Sequence, residues 1–355
     1  MATTIPSGLG STLGIARESG GNVYGAENTV TRWYLIDAGE SFQLKKNIDQ
    51  SQALHGGRFE LAKRRVLVTQ EAQGKFSMDA VTTGMGLLFQ LALGSAASVI
   101  AASPPAAGAS LQLFVPGTTL QGFSANIQKA APETPSGTIY PLSYPGSKIT
   151  DLEIACTVNK IAKINVGVDC QNEDPGPAYA AVTFPTPSVF SFNQASVLTG
   201  GTVTTTQGYC SIAGGAAPIG IISDISIKIT NKFNIARFNV GASVKSEPIE
   251  NAFATVTGDL EIEFANSTDY YAAMAADTTT SLQVIFTGTN ITGSTPYKMS
   301  ILLPAIKWEA PASPVAASTD VIKVKVPFTA LDDTGVGATA DPVIQINYQS
   351  SDSSA

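Results

Sequence analysis

Short segments in which polar and apolar residues alternate recur along this 355-residue chain. The clearest runs from Asp224 to Thr230, where Ile225, Ile227 and Ile229 occupy every second position. A period of two residues is that of a β-strand with one buried face. Comparable segments lie at 41–46, 64–69, 75–80, 152–158, 161–168, 254–257, 259–264, 282–287, 297–303 and 321–328. The sequence therefore predicts a mostly β protein.

The composition favours many short strands joined by turns. Charged residues make up only 14% of the chain, against the usual quarter, and 32 glycines and 20 prolines supply turn positions. This mixture disfavours a helical bundle. A weakly charged polar surface also suits a protein that buries much of itself against copies of itself.

Two segments are predicted to form short helices. Residues 84–102 carry no charge, but their strongly apolar part is only about nine residues long, whereas a bilayer requires roughly 20. We therefore expect no membrane span, and instead a helix capped by Thr82 or Thr83 and ended at Gly94. A second helix is predicted at 269–276. The N-terminus lacks a basic region followed by an apolar run, so no signal peptide is expected.

The balance of charge argues against tight nucleic-acid binding. The net charge is −7, from 21 basic and 28 acidic residues, whereas a nucleic-acid-binding surface needs a basic stripe to neutralise phosphates. The dense basic run Lys63-Arg64-Arg65 lies in a strand-like segment. This placement favours a solvated strand face, or salt bridges to a partner, over a nucleic-acid patch. An acidic surface that faces DNA without holding it is compatible with the sequence.

The chain offers few residues for catalysis or metal binding. His55 is the single histidine and lies in a turn-like Leu-His-Gly-Gly context, so neither a histidine metal pair nor a Ser–His–Asp triad is expected. Glu261 and Glu263 lie on one face of a predicted strand, where they could form a carboxylate pair. A polar outer or luminal face explains them more simply. We expect no enzyme activity, no cofactor and no metal.

The cysteines are odd in number and lack CxxC or CxxH spacing. Neither a disulfide framework nor a zinc site is therefore expected. We predict buried or partly buried free thiols, which would fit assembly in a reducing cytoplasm, at Cys156, Cys170 and Cys210.

An ordered set of motifs gives the chain a resemblance to a known family. In chain order, they are a strand–strand–short-helix opening at 65–69, 74–78 and 86–95, a strand ending in asparagine at 226–231, an alternating strand at 257–264 before a small helix with Tyr270, Tyr271 and Met274, and a Leu-Pro strand at 301–306. Together they cover roughly half of the chain. In this order they resemble the major tail tube protein of long-tailed bacteriophages, the phage tail tube protein family.

The resemblance implies a fold and a function. The fold is a tail-tube-like β-sandwich or barrel with one or two short flanking helices, an extended N-terminal arm and large inserted loops. The subunits would form hexameric rings that stack into a tube, and viral DNA would pass through without specific binding. Other tail proteins, such as the tape measure and terminator, are implied partners. The implied location is the virion tail, assembled in the host bacterial cytoplasm.

The resemblance also divides the chain into expected segments. Two stretches exceed a minimal tube domain and are expected to be insertions or loop regions. The expected segments are an N-terminal arm at 1–36, the first part of the tube domain at 37–99, an insertion at 100–147, tube strands at 148–170, a second insertion at 171–220, the second part of the tube domain at 221–328, and a C-terminal arm or tail at 329–355.

Four residues are candidate contacts between rings. The stretch 46–58 between the first two strands is longer than a simple hairpin needs, and Ile48 and Leu54 are its isolated apolar residues. In the family that the chain resembles, this position reaches the next ring. Trp33 and Tyr34 follow a Gly/Ser/Thr-rich segment that cannot form its own core, so they need burial elsewhere.

Other functional classes remain open at this point. A capsid decoration protein would form trimers or coat a shell, and a secretion-system tube is a further structural alternative. A carbohydrate-binding or hydrolytic β-domain would need a cleft with clustered aromatics, whereas the only two tryptophans, Trp33 and Trp308, are far apart in sequence.

Overall fold

The computed structural model describes residues 11–18, 24–102, 104–130, 139–184, 186–218, 220–263, 271–309, 322–332 and 341–354. Within these residues, strands far outnumber helices. The elements are β1 (Thr12–Arg17), β2 (Arg32–Tyr34), β3 (Ser41–Gln50), β4 (Arg65–Asp79), α1 (Gly86–Leu93), β5 (Ser98–Ala101), β6 (Ser110–Phe114), β7 (Ala125–Ala130), β8 (Pro141–Thr157), β9 (Lys163–Cys170), β10 (Ala195–Thr199), β11 (Thr202–Thr206), β12 (Tyr209–Ala213), β13 (Ile222–Thr230), β14 (Phe233–Asn234), β15 (Ile249–Glu250), β16 (Thr255–Glu263), α2 (Tyr271–Ala275), β17 (Thr280–Thr292), β18 (Thr295–Trp308), β19 (Lys323–Ala330) and β20 (Gln345–Ser350).

Sixteen of the described strands join into one antiparallel network. Its main path is β2-β1-β7-β8-β13-β16-β19-β18-β20-β6-β5, with β3-β4-β9 branching onto β8 and β10-β17 onto β18. The long strand β8 pairs with β7 through its first half and with β9 and β13 through its second half. β18 likewise pairs with β17, β19 and β20. Strands that change partner along their length join the two layers of a sandwich, so the predicted β-sandwich fold is confirmed.

The alternating segments form the core, as the sequence predicts. Ile225, Ile227 and Ile229 of β13 are buried and lie directly opposite residues of β8 that are also buried. The intervening polar residues of β13 stay partly exposed. Each buried side chain of this size contributes about 1.5–3 kcal/mol to the free energy of unfolding. Strand pairing and burial therefore reinforce one another here.

Helix α1 lies inside the core, and all eight of its residues are buried. It ends at Gly94 in the left-handed conformation, with φ of 68°, as predicted. It begins later than predicted, after Met85, and neither Thr82 nor Thr83 caps it by a side-chain hydrogen bond. Instead, the Asp352 carboxylate accepts a 2.6 Å hydrogen bond from the Gly84 amide just before the helix.

Segments expected to be arms or insertions also contribute strands. β1 and β2 lie within 1–36, β6 and β7 lie within 100–147, β5 crosses the boundary at 99/100, and β20 lies within 329–355. β1 pairs with β2 and β7, and β20 lies between β18 and β6. These strands bury large apolar side chains, including Leu13, Ile15 and Tyr348.

Cys156, Cys170 and Cys210 are buried free thiols, which confirms the prediction made for them from the sequence.

Candidate assembly surfaces

A two-stranded hairpin projects from the sheet where β3 and β4 extend beyond their neighbours. We call residues 45–68 the arm. β4 also pairs with β9, but only from Ala72 onward, so the arm has no further strand beside it among the described residues. All arm residues are exposed except Gln50 and Ser51, which are half-buried. A hairpin this exposed cannot be stabilised by the chain's own core.

The arm differs from the predicted loop at 46–58. β3 continues to Gln50, β4 starts at Arg65, and the connection is residues 51–64. Ile48 therefore lies in a strand, directly opposite Leu67, whereas Leu54 lies in the connection. The predicted strands at 64–69 and 75–80 are one continuous strand, since nothing between them interrupts pairing with β3.

The arm tip is ordered by its own hydrogen bonds. The His55 ring lies 2.7 Å from the Phe59 carbonyl oxygen, and the Gln52 amide donates to Glu60 at 2.5 Å. The Arg58 guanidinium lies 5.0 Å from the centre of the Phe59 ring. These contacts leave Leu54 fully exposed and Phe59 three-quarters exposed. The tip therefore presents two apolar side chains to solvent.

Both faces of the arm are apolar in part, and its charge is positive. Its exposed apolar residues are Ile48, Leu54, Phe59, Leu61, Val66, Leu67 and Val68. Six basic and two acidic residues give the arm a net charge of +4. Because the whole chain carries −7, the remainder carries −11. The arm is thus suited to a partner surface that is apolar and acidic.

A loop at residues 235–247, the buttress loop, supports the arm at its base. The backbone amide of Gln70 donates a hydrogen bond to the Ser243 carbonyl oxygen at 2.8 Å. The Lys245 ammonium is fully buried and contacts Asp169 at 2.5 Å and Glu71 at 3.2 Å. Because Glu71 belongs to β4 and Asp169 to β9, Lys245 ties the base of the arm to the sheet.

Trp33 and Tyr34 lie near Asp79, at the end of β4 that is far from the arm. Their side chains are buried, with 6% and 4% of their surface exposed. Trp33 packs against Gly14, which lies directly opposite it in β1. The Tyr34 hydroxyl donates a hydrogen bond to the Gly84 carbonyl oxygen at 2.9 Å. Both line a cleft that Asp79, the last residue of β4, also lines. β4 places Asp79 roughly 45 Å from Arg65 at the arm. The structure therefore separates this aromatic pair from Ile48 and Leu54.

The solvent side of four adjacent strands forms a polar face. Its charged residues alternate with buried apolar ones along each strand, and they are Asp151, Glu153, Asp224, Lys228, Asp259, Glu261, Glu263, Lys323 and Lys325. Three cross-strand ion pairs join them, Lys228–Asp151, Lys323–Glu261 and Lys325–Asp259. Six acidic against three basic residues leave this face with a net charge of −3.

Carboxylates of the polar face form ion pairs with lysines and accept hydrogen bonds from neighbouring side chains. A hydrogen bond from Ser223, together with Lys323, lowers the pKa of Glu261. A carboxyl held in its ionised form is a poor proton donor, which suits a polar surface better than acid catalysis.

Among the described residues, no group of three histidine, cysteine, aspartate or glutamate side chains could hold a metal ion. No helix in the described part is long and apolar enough to cross a membrane.

Comparison with known proteins decides the family. A family model described as "phage tail tube protein" matches residues 8–330, which is nearly the whole chain. The chain belongs to the phage tail tube protein family. No curated protein matches the sequence. The predicted resemblance is therefore confirmed, and with it the coarse functional class of a structural component of the phage tail.

Membership of the tail tube family identifies the kind of partner that the exposed arm could contact. The family implies assembly with further copies and with other tail proteins. Sequence reasoning singled out Ile48 and Leu54 in the arm but missed Phe59, Leu61 and Val66 to Val68, as well as the buried Lys245. The mixture of isolated apolar residues and Lys63-Arg64-Arg65 is the signal that could have marked the whole arm.

Proposed function

We propose that this protein is a tail tube subunit that closes into rings, six copies to a ring, and that the rings stack into a tube. The observation that carries this proposal is the arm, an ordered hairpin with apolar side chains on both faces and no partner among the described residues. A monomer that kept such a surface in water would tend to aggregate through it. Assembly with copies of itself covers that surface.

Within this proposal, Ile48 and Leu54 insert into the subunit of the ring above or below. Each would contribute about 1.5–3 kcal/mol on full burial, a gain repeated at every subunit of the ring. Trp33 and Tyr34 take part as the lining of the cleft, because their side chains are largely buried within their own subunit.

We also propose that the polar face lines the lumen through which viral DNA passes. A surface with a net charge of −3, repeated around each ring, repels phosphate mildly, so DNA would slide without binding. The ion pairs hold the lysines of this face against acidic neighbours, which reduces their availability to phosphate. Tube assembly would take place in the reducing cytoplasm of the host bacterium, where the buried thiols stay free, and would involve tape measure and terminator proteins.

Negative-stain electron microscopy of the purified protein tests the proposal. Hollow filaments with a regular axial repeat are expected, either spontaneously or when a tail initiator complex is added. Light scattering over a range of concentrations would follow the same transition in solution. A compact trimer that forms neither rings nor filaments under any of these conditions would instead favour a decoration protein.

A further inference from the structure

A cleft of about 760 Å³ opens beside β2, next to the end of β4 that is far from the arm. Leu35 and Phe184 are exposed at its wall, and Trp33 and Tyr34 contribute aromatic surface from β2. Pockets of this volume accommodate several apolar side chains of a ligand or partner. The cleft is therefore large enough to receive the tip of a hairpin.

The strand beside the cleft can also offer backbone hydrogen bonds. β2 is the terminal strand of its sheet path among the described residues, with β1 as its one strand neighbour. An edge of this kind pairs readily with an extended segment of another chain. The cleft thus combines apolar surface with a strand edge.

The arm tip has the matching shape and chemistry. Leu54 and Phe59 project from it, and hydrogen bonds from His55 and Gln52 hold it in place before any partner is bound. Such pre-organisation reduces the entropy lost on docking. The charges are also opposite in sign, because the arm is +4 and the cleft is lined by Asp79 and Asp352 against a single basic residue, Arg32.

We infer that the cleft is the receptor for the arm tip of a second copy of this chain, in the next ring. A tip cannot reach the cleft of its own chain, because β4 holds the two roughly 45 Å apart. A contact between different surfaces of identical subunits is heterologous, and it repeats into an open filament when the rotation between copies does not close a ring. The inference rests on the proposed stacking and names the surface on which the arm acts.

Cysteine crosslinking in the assembled protein tests this directly. The native thiols are buried, so Leu54→Cys and Leu35→Cys introduce the accessible ones. With a short bismaleimide, the double variant is expected to give a ladder of dimers, trimers and larger species on a denaturing gel. A mixture of the two single variants should stop at dimers. Leu54→Cys with Val240→Cys, which is equally exposed but lies in the buttress loop, is the matched control and should give no ladder.

The outcomes separate the inference from the proposed function. Tubes that form normally while position 54 fails to crosslink to position 35 would overturn the inference and leave stacking intact. The same holds if Ser7→Cys crosslinks to position 35 instead, which would assign the cleft to the N-terminal segment. A protein that never assembles would overturn both. Independently, Leu35→Asp should raise the critical concentration for assembly by about tenfold or more.

Discussion

The ammonium of Lys245 lies 2.5 Å from a carboxylate oxygen of Asp169, and both side chains are buried. The same ammonium contacts Glu71 on β4 at 3.2 Å. Burial raises the pKa of Asp169, and the attraction of Lys245 opposes that rise. Lys245 therefore compensates a buried negative charge at the point where the arm leaves the sheet.

Lys245→Met is expected to destabilise the protein by roughly 3–5 kcal/mol, because it leaves Asp169 buried without a cation. The double variant Lys245→Met with Asp169→Asn should recover much of this loss, since no buried charge remains. Chemical unfolding of both variants measures the difference. In addition, exchange of the Gln70 amide, which donates to Ser243, should accelerate in the single variant if the buttress loop detaches.

The pH dependence of the Lys245→Met variant follows from the raised pKa of Asp169. A carboxyl whose pKa is higher in the folded state binds its proton more tightly there than in the unfolded chain. Stability is therefore lost as pH rises through the folded pKa and regained as pH falls. Removing Lys245 raises that pKa further, so the variant's deficit should shrink on acidification. A deficit that is the same at neutral and mildly acidic pH would show that Asp169 is not the cause.

Ile48→Asp combined with Leu54→Asp should abolish tube formation and leave the thermal unfolding of the monomer nearly unchanged. Both side chains are exposed in the free subunit, so their loss removes contacts between copies and not within one. Asn47→Asp with Ala53→Asp adds the same charge at neighbouring exposed positions and controls for electrostatic effects. Electron microscopy and calorimetry distinguish the variants. Unfolding of the Ile48/Leu54 monomer would show that these residues belong to its own core.

Much of the sandwich is predictable because burial on one face leaves a period of two in the sequence. Ile225, Ile227 and Ile229 mark β13, and the same reasoning finds β8 and β16. The arm is different. A strand exposed on both faces has no reason to alternate, so the extension of β3 through Ile48 and the continuity of β4 leave no periodic signal.

The long-range partners cannot be derived from local pattern. Lys245 stands in a loop, and its two partners are 76 and 174 residues away along the chain. The Asp352 carboxylate accepts a hydrogen bond from the backbone amide of Gly84, just before α1 and 268 residues away along the chain. For β20, Ile346 and Tyr348 do alternate with polar residues, but the serines and aspartate that follow resemble a frayed tail. Sequence alone therefore locates the strands better than the surfaces they build.

The thiols should be unreactive in the native protein. Burial raises the pKa of Cys156 to about 11 and that of Cys170 to about 12, and it also raises the pKa of Cys210. The thiolate is the reactive form, so at neutral pH a disulfide reagent should label none of them until denaturant is added. Reactivity of the native protein should increase only at strongly alkaline pH. Leu54→Cys, whose site is fully exposed, provides the positive control. Rapid native labelling of any of the three would contradict their burial.

Gly14→Ala should destabilise the pairing of β1 with β2. A Cβ at Gly14 would lie 2.8 Å from two carbons of the Trp33 indole, which is the residue directly opposite. Because the indole is buried and rigid, the two strands must separate, at a cost of about 1–3 kcal/mol. Gly288→Ala is the matched control, since its Cβ would meet no atom closer than 3.4 Å and should be nearly neutral. Combining Gly14→Ala with Trp33→Leu should recover part of the loss, and a double-mutant cycle of unfolding free energies measures that coupling. Additive effects would show that the indole and Gly14 do not constrain one another.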